Sequence, residues 1–405
     1  SGMFKEDEAR TPRDGKIVGF ARIDNRDVGV VVNDFTVKGA STSNTNSKKM
    51  GHVRRVTTEK GMPFVHVGES TGARLPDAMG SLGMGLLLGN DPTQFRRTRE
   101  NPWAAAAVGT SFGSSAWLCC ISDFAVMRKG SIMSVSSPRL VSMAIGEKVD
   151  FEELGGWRIH AEHTGLIDRF TKTDEEAMQE IRAFLSYMPS HNMELPPATV
   201  PTEDAAQDQD DIVEILPEKR TQVYDMRKII KIFADKGSVF ELKPRFGKSV
   251  IVALARLNGK VIGIIANNPF VGGGAISPEA CRKIIDFQVM CDSFNIPIVR
   301  FMDTPGFVVG TEPERKGAPG WIMNFMNSTC LVTVPSITII VRKAYGRAYV
   351  AMGGGRHNEE MIAWPNAEVS FMDPVFATKI VHGLSAGDEG FEDALATIQK
   401  DIEVW

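Results

Sequence analysis

Two short segments of small residues stand where a predicted strand passes into a predicted helix, and both are suited to hold a negatively charged oxygen. We call Gly113-Ser114-Ser115, which follows the apolar run 104–108, the first corner, and Gly346-Arg347-Ala348, which follows 337–341, the second corner. The first N–H groups of a helix have no intrahelical acceptor and lie at the positive end of its dipole. An oxyanion hole built this way gains about 3 kcal/mol from each donor as negative charge develops. The alternative is that small residues only allow close packing of strand on helix.

Other kinds of catalysis find little support in the sequence. The seven histidines show no metal-ligand spacing and the five cysteines form no C-x-x-C pair, so we expect no metal site. Neither a G-x-S-x-G nucleophile elbow nor a G-x-x-x-x-G-K-[ST] phosphate loop is present. The triplet Gly272-Gly273-Gly274 is more typical of a flexible turn than of phosphate binding. The sequence therefore favours catalysis by backbone dipoles, which suits enolate or oxyanion chemistry.

Composition narrows the class of protein. The chain has 405 residues, enough for two ordinary domains, and its 43% hydrophobic and 24% charged residues are typical of a soluble globular protein. A net charge of −4 argues against a nucleic-acid partner. No apolar run approaches the roughly 18 residues that span a membrane, and no charged-then-apolar signal peptide opens the chain. We therefore expect a cytoplasmic protein without a membrane span.

The sequence contains an internal repeat. Ala21-Arg22-Ile23 matches Ala255-Arg256-Leu257, and in both places a turn and a β-branched apolar run follow, which predicts a β-hairpin. The match continues through a short strand, an acidic residue at its end (Glu69 against Asp303) and the two corners. The offset stays at 233 or 234 positions (21 against 255, 112 against 345). We infer a duplication that fuses two homologous α/β domains.

The boundary between the two domains is predicted from composition. Segment 191–211 is rich in proline and acidic residues and almost devoid of large apolar ones, which predicts a solvated linker or crossover. The domains are placed at 1–198 and 199–405. Helices are predicted at 174–187, 222–233 and 278–294.

Four motifs follow one another along the chain. They are the segment 146–156 (GEKVDFEELGG) with His160 and Thr164-Gly165, then Asp303-Thr304-Pro305-Gly306-Phe307, 341–349 (VRKAYGRAY) and 363–368 (AWPNAE). In this order they resemble the motifs of the carboxyltransferase (β) subunits of biotin-dependent acyl-CoA carboxylases, such as propionyl-CoA carboxylase. The resemblance covers about residues 15 to 380.

The resemblance implies a fold and an activity. It implies two tandem crotonase-like (ClpP/crotonase) domains per chain and a homo-hexamer, a trimer of dimers, with active sites between protomers. The N-terminal domain would bind acyl-CoA, and the C-terminal domain would receive carboxybiotin on a carrier subunit that works with biotin carboxylase. In the implied reaction carboxybiotin releases CO2, the ureido oxyanion helps to remove the α-proton of the thioester, and the enolate captures CO2 at the α (or vinylogous) carbon.

The resemblance also assigns site residues. It places the thioester oxyanion hole on Gly113 and Ser114, and the hole for the biotin ureido oxygen on Arg347 and Ala348. Residues assigned to binding of the CoA ester or biotin are Gly72, Arg74, Phe307, Gly310 and Gly346.

The chain departs from the family at four places. Ser114 and Arg347 stand where the family usually has glycine. Segment 69–74 reads E-S-T-G-A-R where the family has "D-S-G-G-A-R", so Thr71 replaces a glycine, and 320–324 replaces the family's "R-H-G-A-K". Arg347 could add a cation over the ureido oxyanion or could block biotin. We also expect that the family's helical lead-in and a closing tail after Trp405 are missing.

These departures keep other functions open. The alternatives are a biotin-linked acyl-CoA decarboxylase subunit and a catalytically altered scaffold homologue. Basic residues of the N-terminal half are expected either to meet CoA phosphates or to form a solvated face: Lys38, Lys48, Lys49, Arg54, Arg55 and Arg74. The apolar run 81–88 is predicted to form part of a subunit interface.

Overall fold

The chain folds into two compact units. The computed structural model describes residues 11–87, 97–201, 211–355 and 358–402. Unit 1 comprises Ser1–Pro197 with Ser293–Asn295, and unit 2 comprises Ala198–Asp292 with Ile296–Trp405.

Unit 1 is organised around a seven-stranded sheet. Its strands are β1 (Lys16–Ile23), β2 (Arg26–Asn33), β3 (Phe64–Ser70), β4 (Trp103–Phe112), β5 (Phe124–Arg128), β6 (Ile132–Ser134) and β7 (Arg169–Thr171). Its helices are α1 (Asn44–Lys60), α2 (Leu75–Ala78), α3 (Gly80–Leu87), α4 (Ser114–Ile121), α5 (Pro138–Ile145), α6 (Phe151–Gly155) and α7 (Asp174–Leu185). The strand order is β1-β2-β3-β4-β5-β7, and β6 pairs with β4. β1 and β2 form an antiparallel hairpin, and the other pairs are parallel.

Unit 2 is organised in the same way. Its strands are β8 (Phe240–Leu242), β9 (Val250–Leu257), β10 (Lys260–Asn267), β11 (Ile298–Thr304), β12 (Ser336–Tyr345), β13 (Glu360–Ala363) and β14 (Glu368–Ser370). Its helices are α8 (Asp211–Ile215), α9 (Arg227–Phe233), α10 (Pro278–Ser293), α11 (Thr311–Arg315), α12 (Ala318–Leu331), α13 (Gly346–Ala351), α14 (Pro374–His382) and α15 (Phe391–Ile402). The strand order is β8-β9-β10-β11-β12-β13, with β14 against β12. Strands β8, β9 and β10 pair antiparallel, and the rest are parallel.

The duplication is visible in how the helices attach to the sheets. In unit 1 the Lys49 ammonium donates to the carbonyl of Lys16 at 2.7 Å, at the start of β1. In unit 2 the Lys283 ammonium donates to the carbonyl of Val250 at 2.7 Å, at the start of β9. Each lysine lies 234 positions from its counterpart, and so does each acceptor (49 against 283, 16 against 250). The predicted duplication and the α/β fold class are confirmed.

A close helix–sheet approach is repeated as well. A Cβ on Gly29 in β2 would lie 2.0 Å from a methyl group of Thr57 in α1. A Cβ on Gly263 in β10 would lie 2.7 Å from the Cys291 sulfur in α10. Because nothing larger than a hydrogen fits there, these glycines set the distance between the long helix and the sheet in each unit.

The predicted elements agree with the structure apart from one helix start. The hairpins are present, the helix predicted at 174–187 spans Asp174–Leu185, and the helix predicted at 278–294 spans Pro278–Ser293. The prediction of a helix from residue 222 is wrong, since that helix begins at Arg227. The segment before this helix is held by another element, because the Tyr224 hydroxyl donates to Asp303 of β11 at 2.9 Å. This contact keeps the segment out of the helix. Residues 191–201 contain neither helix nor strand, and 202–210 lie outside the described residues.

Candidate active site

The sheets bring the predicted residues of each half to one edge. In unit 1, Gly72 and Arg74 follow β3 and the first corner follows β4, its parallel neighbour. In unit 2, Phe307 and Gly310 follow β11 and the second corner follows β12, again its parallel neighbour. Ligands of parallel α/β sheets bind outside the carboxyl ends of the strands, and this is the edge on which the predicted residues lie.

Both corners turn on a glycine with unusual backbone angles. Gly113 has φ +60° and ψ −121° as it leads into α4, and Gly346 has φ +59°. Side chains of L-residues strain the backbone in this region, so glycine is needed for the turn itself. A sharp turn from strand to helix exposes the first N–H groups of the helix at the sheet edge.

The N–H of Gly113 does not act as a free donor at the first corner. It donates to the carbonyl of Ser134 in β6, with an N···O distance of 3.3 Å. The role of Gly113 as one of two oxyanion donors stays a prediction, and this bond argues against it: the conformation of Gly113 makes the turn, and its hydrogen is used within the sheet. The donors that remain at this corner are those that open α4, beginning with Ser114.

Two further residues border the first corner. A Cβ on Gly113 would lie 3.9 Å from the Cα of Gly72, so these two predicted site residues are neighbours. The Ser114 hydroxyl lies 2.9 Å from the hydroxyl of Thr42. Thr42 carries no sequence signal that we recognised. Its only trace is the repeat, because the bridge from Thr42 to Ala73 has its counterpart in Ile276 and Phe307 of unit 2.

Arg74 is buried, and its guanidinium is held by partners inside unit 1. Its Nη1 lies 2.7 Å from the Asp14 carboxylate, and the two side chains are 7% and 1% exposed. Its Nε donates to the Ser41 hydroxyl at 3.1 Å, and Nη2 donates to the Ser41 carbonyl at 3.2 Å. These contacts occupy the donors of Arg74 inside unit 1 and argue against the expectation that it meets CoA phosphates, which stays a prediction.

Beneath the first corner lies a small group of buried polar atoms. Both ring nitrogens of His66 and the hydroxyl of Ser115 have no hydrogen-bond partner among the described residues. Ser115 Oγ and His66 Nε2 lie 2.6 and 2.8 Å from the point that a Cβ on Gly68 would occupy. Burial lowers the pKa of His66 to about 3, with the charges of Lys16 and Arg54 acting in the same direction. The imidazole is therefore neutral under the first turn of α4.

A charged network holds the residue that precedes the second corner. Arg220 Nε lies 2.8 Å from the Glu368 carboxylate and its Nη2 lies 2.8 Å from Asp373. The Tyr345 hydroxyl contacts both Arg220 and Glu368. Burial and the Glu368 carboxylate raise the pKa of Tyr345, so the phenol stays protonated. Tyr345 and Glu368 lie in recognised motifs, whereas nothing in the sequence singled out Arg220.

The two residues that follow Gly346 at the second corner differ in burial. Ala348 is fully buried and the Arg347 side chain is exposed. A Cβ on Gly346 would lie 3.1 Å from the carbonyl oxygen of Phe371, so this position also fits glycine sterically. Phe307 forms an isolated parallel bridge with Ile276. These contacts shape the backbone around Arg347 and Ala348, and the Arg347 guanidinium extends away from the buried interior.

Asp303, the acidic residue of the DTPGF motif, ties β11 to β12. It is fully buried and its Oδ2 accepts from Arg342 Nε at 3.0 Å and from the Tyr224 hydroxyl at 2.9 Å. The backbone N–H of Lys343 donates to the other carboxylate oxygen at 3.2 Å. Burial raises the pKa of Asp303, while Arg342 and the Tyr224 hydroxyl act against that rise. All described hydrogen bonds of Asp303 are to residues of unit 2. Asp303 therefore positions β12, the strand that leads into the second corner.

Two negative observations bear on other site types. Across the described ranges, no three His, Cys, Asp or Glu side chains lie close enough together to hold a metal ion. The described helices include none that is long and apolar enough to cross a membrane. The cytoplasmic location stays a prediction, which cell fractionation would test.

A duplicated α/β fold with a strand-to-helix corner at the same sheet edge of each copy is the architecture of the crotonase-like class of protein. The carboxyl transferase domain model matches residues 3–400. The chain therefore belongs to the carboxyltransferase family, the family of the acyl-CoA carboxylase β subunits that the sequence motifs resemble.

Individual relatives agree with this assignment. The carboxyltransferase subunit of propionyl-CoA carboxylase from Haloferax mediterranei is 35% identical over 395 residues, which is 95% of this chain and 75% of the relative. The alpha subunit of methylmalonyl-CoA decarboxylase from Veillonella parvula is 32% identical over 384 residues, covering 93% and 74%. The crystal structure of transcarboxylase 12S, a hexamer with methylmalonyl-CoA and methylmalonic acid bound, superposes with a TM-score of 0.91 at 30% identity, covering 99% and 78%. The predicted family, fold and acyl-CoA carboxyltransferase activity are confirmed, as are biotin and CoA esters as the cofactor and substrate of the family.

Proposed function

We propose that this chain is the carboxyltransferase component of a biotin-dependent acyl-CoA carboxylase that carries CO2 to the α (or vinylogous) carbon of an acyl-CoA. The observation that carries the proposal is the pair of backbone donor corners, one at the matching sheet edge of each copy of the duplicated fold. A reaction through an enolate and a ureido leaving group generates two oxyanions, and two such corners suit that requirement.

Within this proposal the two halves of the chain bind different substrates. The N-terminal half, 1–198, binds the acyl-CoA, and the first turn of α4 holds the thioester oxygen through the N–H of Ser114. Removal of one such donor from an oxyanion hole costs about a hundredfold to a thousandfold in rate. Gly72, whose Cα lies beside Gly113, leaves the approach to that turn free of a side chain.

The C-terminal half, 199–405, receives biotin on its carrier subunit. The fit to the second corner rests on the Gly346 turn, where a Cβ would press against the Phe371 carbonyl, and on the N–H groups of Arg347 and Ala348 just after it. Biotin, when bound, supplies CO2 from its carboxylated ureido ring. Arg347 and Ala348 hold the ureido oxygen, the Arg220 network fixes Tyr345 in front of them, and Phe307 and Gly310 line the neighbouring strand end.

Assembly into a hexamer belongs to the same proposal. The related transcarboxylase 12S is a hexamer. In this chain α3 exposes 75% of Leu82 and 51% of Met84, a pair of large apolar side chains that a subunit contact would cover. Light scattering that finds a stable, fully active monomer would refute the shared-site arrangement.

A decarboxylase role is the second candidate. The specific observation in its favour is the 32% identity to a methylmalonyl-CoA decarboxylase alpha subunit over 93% of this chain. Both reactions use the same enolate and the same corners, so the fold does not separate them. The altered-scaffold alternative rests on Thr71, Ser114 and Arg347, and turnover in either direction would eliminate it.

The deciding experiment supplies the chain with biotin carboxylase, biotinylated carrier, ATP and bicarbonate, and scores a panel of CoA thioesters for carboxylation. We expect ATP-dependent carboxylation of at least one short acyl-CoA. Transfer only from a carboxylated acyl-CoA to the carrier would favour the decarboxylase, and acyl-CoA binding without turnover would favour the scaffold.

Arg347→Gly tests the second corner in the same assay. Because the guanidinium is exposed, we expect carboxylation within about twofold of wild type, or roughly 0.4 kcal/mol. A clear rise would mean that the side chain obstructs biotin, and a fall of about a hundredfold would mean that the guanidinium takes part in catalysis. Arg347→Met, which keeps the bulk without the charge, separates obstruction from charge.

A further inference from the structure

The first corner carries a hydroxyl that the family's usual glycine cannot provide. Ser114 is the first residue of α4, so its side chain and its backbone N–H both belong to the turn at which the proposed function places the thioester oxygen. The Ser114 hydroxyl lies 2.9 Å from the hydroxyl of Thr42. Ser114 is partly exposed, whereas Thr42 is only 3% exposed.

Burial decides which of the two hydroxyls donates. Each has one hydrogen and can accept. Among the described residues, the Thr42 hydroxyl has Ser114 as its one side-chain hydrogen-bond partner, and a buried donor without an acceptor is costly. Thr42 therefore donates to Ser114. The hydrogen of Ser114 is then left for an acceptor outside the pair, on the open side of the corner.

Thr42 is itself held firmly. Its N–H donates to the carbonyl of Gly72 at 2.8 Å, and its carbonyl accepts from the N–H of Arg74 at 2.8 Å. Both partners lie in the loop that follows β3, whose Gly72 borders the first corner. The orientation of the Ser114 hydroxyl is thus fixed by the backbone of the neighbouring strand end, which is the kind of preorganisation that an oxyanion donor needs.

The corner also lacks a donor that the predicted pair would have included. The N–H of Gly113 is engaged by the Ser134 carbonyl at 3.3 Å. One backbone donor is therefore missing next to a hydroxyl whose hydrogen has no described acceptor.

We propose that the Ser114 hydroxyl is a catalytic hydrogen-bond donor to the thioester oxygen, acting together with its own N–H, and that Thr42 is its positioning residue. The inference rests on the proposed function. No bond to Ser114 forms or breaks: its proton stays on the serine oxygen, and the hydrogen bond strengthens as the carbonyl oxygen gains the charge of the enolate.

The test compares Ser114→Ala, Ser114→Gly, Thr42→Val and Thr42→Ser in the assembled carboxylase. Two readouts are needed: kcat and KM for carboxylation, and exchange of the α-hydrogen of the acyl-CoA with D2O, which follows enolate formation directly. For Ser114→Ala and Ser114→Gly we expect kcat and exchange to fall about tenfold or more, with KM within about threefold. Thr42→Val should lose about threefold to tenfold, and Thr42→Ser, which keeps the hydroxyl, should recover most of it.

Ser122→Ala is the matched control. Its hydroxyl, just past the far end of the same helix, lies 2.7 Å from the Cys119 carbonyl and 3.0 Å from the Phe124 carbonyl, so the variant loses contacts at that end without touching the corner. We expect its kcat within twofold of wild type. Melting curves of all variants identify any loss that comes from misfolding, and Ser114→Gly covers the case in which alanine is not accommodated.

The two levels of the hypothesis fail in different ways. Ser114→Ala with kcat and exchange within twofold of wild type, a loss confined to KM, or a Ser114→Gly variant faster than wild type would overturn the role of the hydroxyl. A wild-type assembly that carboxylates and decarboxylates no acyl-CoA would instead overturn the proposed function.

Discussion

Replacement of Arg74 by methionine separates a structural role from a ligand-binding one. Arg74 and Asp14 form an ion pair at 2.7 Å in which both side chains are almost completely buried. Methionine fills much of the arginine stem's volume but leaves the Asp14 carboxylate without its cation. It also removes the hydrogen bonds to the hydroxyl and carbonyl of Ser41. Because all these partners lie inside unit 1, we expect the variant to lose stability and to keep its affinity for acyl-CoA.

The magnitude follows from the burial of the pair. Removing one partner of a buried ion pair costs about 3–5 kcal/mol, because an uncompensated charge is left in the interior. Lys16 lies close enough to sense both charges, and burial and Arg74 lower its pKa to about 7. Without Arg74, Lys16 is protonated more readily and compensates part of the Asp14 charge. We therefore expect a loss of about 3 kcal/mol near neutral pH, and a larger loss in alkaline buffer, where Lys16 is neutral.

Urea denaturation and thermal melting measure the effect. For a unit of this size, 3 kcal/mol corresponds to a melting temperature lower by roughly 6–12 °C. Arg55→Met is the matched control: Arg55 pairs with Glu59 at 3.2 Å on the surface, with 55% and 45% exposed side chains, and should lose less than about 0.5 kcal/mol. A stability loss below 1 kcal/mol in Arg74→Met, together with a tenfold or greater rise in KM for acyl-CoA, would refute this reasoning and restore Arg74 as a ligand contact.

Three further predictions follow from other parts of the structure. The pKa of Lys16 is about 7 in the fold and 10.5 in its ordinary state, so the unfolded chain binds more protons between these pH values and Lys16 makes the free energy of unfolding rise with pH there. Urea titrations at several pH values should therefore show a different slope of unfolding free energy against pH for wild type and for Lys16→Met, and equal slopes would contradict the shift. Gly29→Ala places a Cβ 2.0 Å from Thr57 and should cost about 1–3 kcal/mol by denaturation, while Gly19→Ala, with nothing within 4 Å, should be close to neutral. Arg220→Met removes the cation that holds Tyr345 and should reduce transfer from the biotinylated carrier at least tenfold, while the affinity for acyl-CoA, which the proposal places on the other half, changes less than threefold; a comparable loss of acyl-CoA affinity would count against a local role.

The amino-acid order by itself determined the duplicated fold and the place of its corners. Hairpins and parallel strands were predictable because β-branched runs and turn residues recur at one offset in both halves. Gly113 and Gly346 were recognisable because a sharp turn with positive φ leaves almost no other residue possible. Such features depend on residues close together in the chain, so local pattern is enough to find them.

The partners of the site side chains were decided only by the tertiary structure. Arg74 reaches Asp14 across 60 positions, and Ser114 reaches Thr42 across 72. The N–H of Gly113 is lost to Ser134 because β6 pairs with the end of β4. Strand register and burial select these contacts, since a polar group removed from water must take whichever partner the neighbouring strand presents. Sequence spacing does not specify which partner each polar group takes, so the sequence predicted the position of the corners but not which of their groups are free to donate.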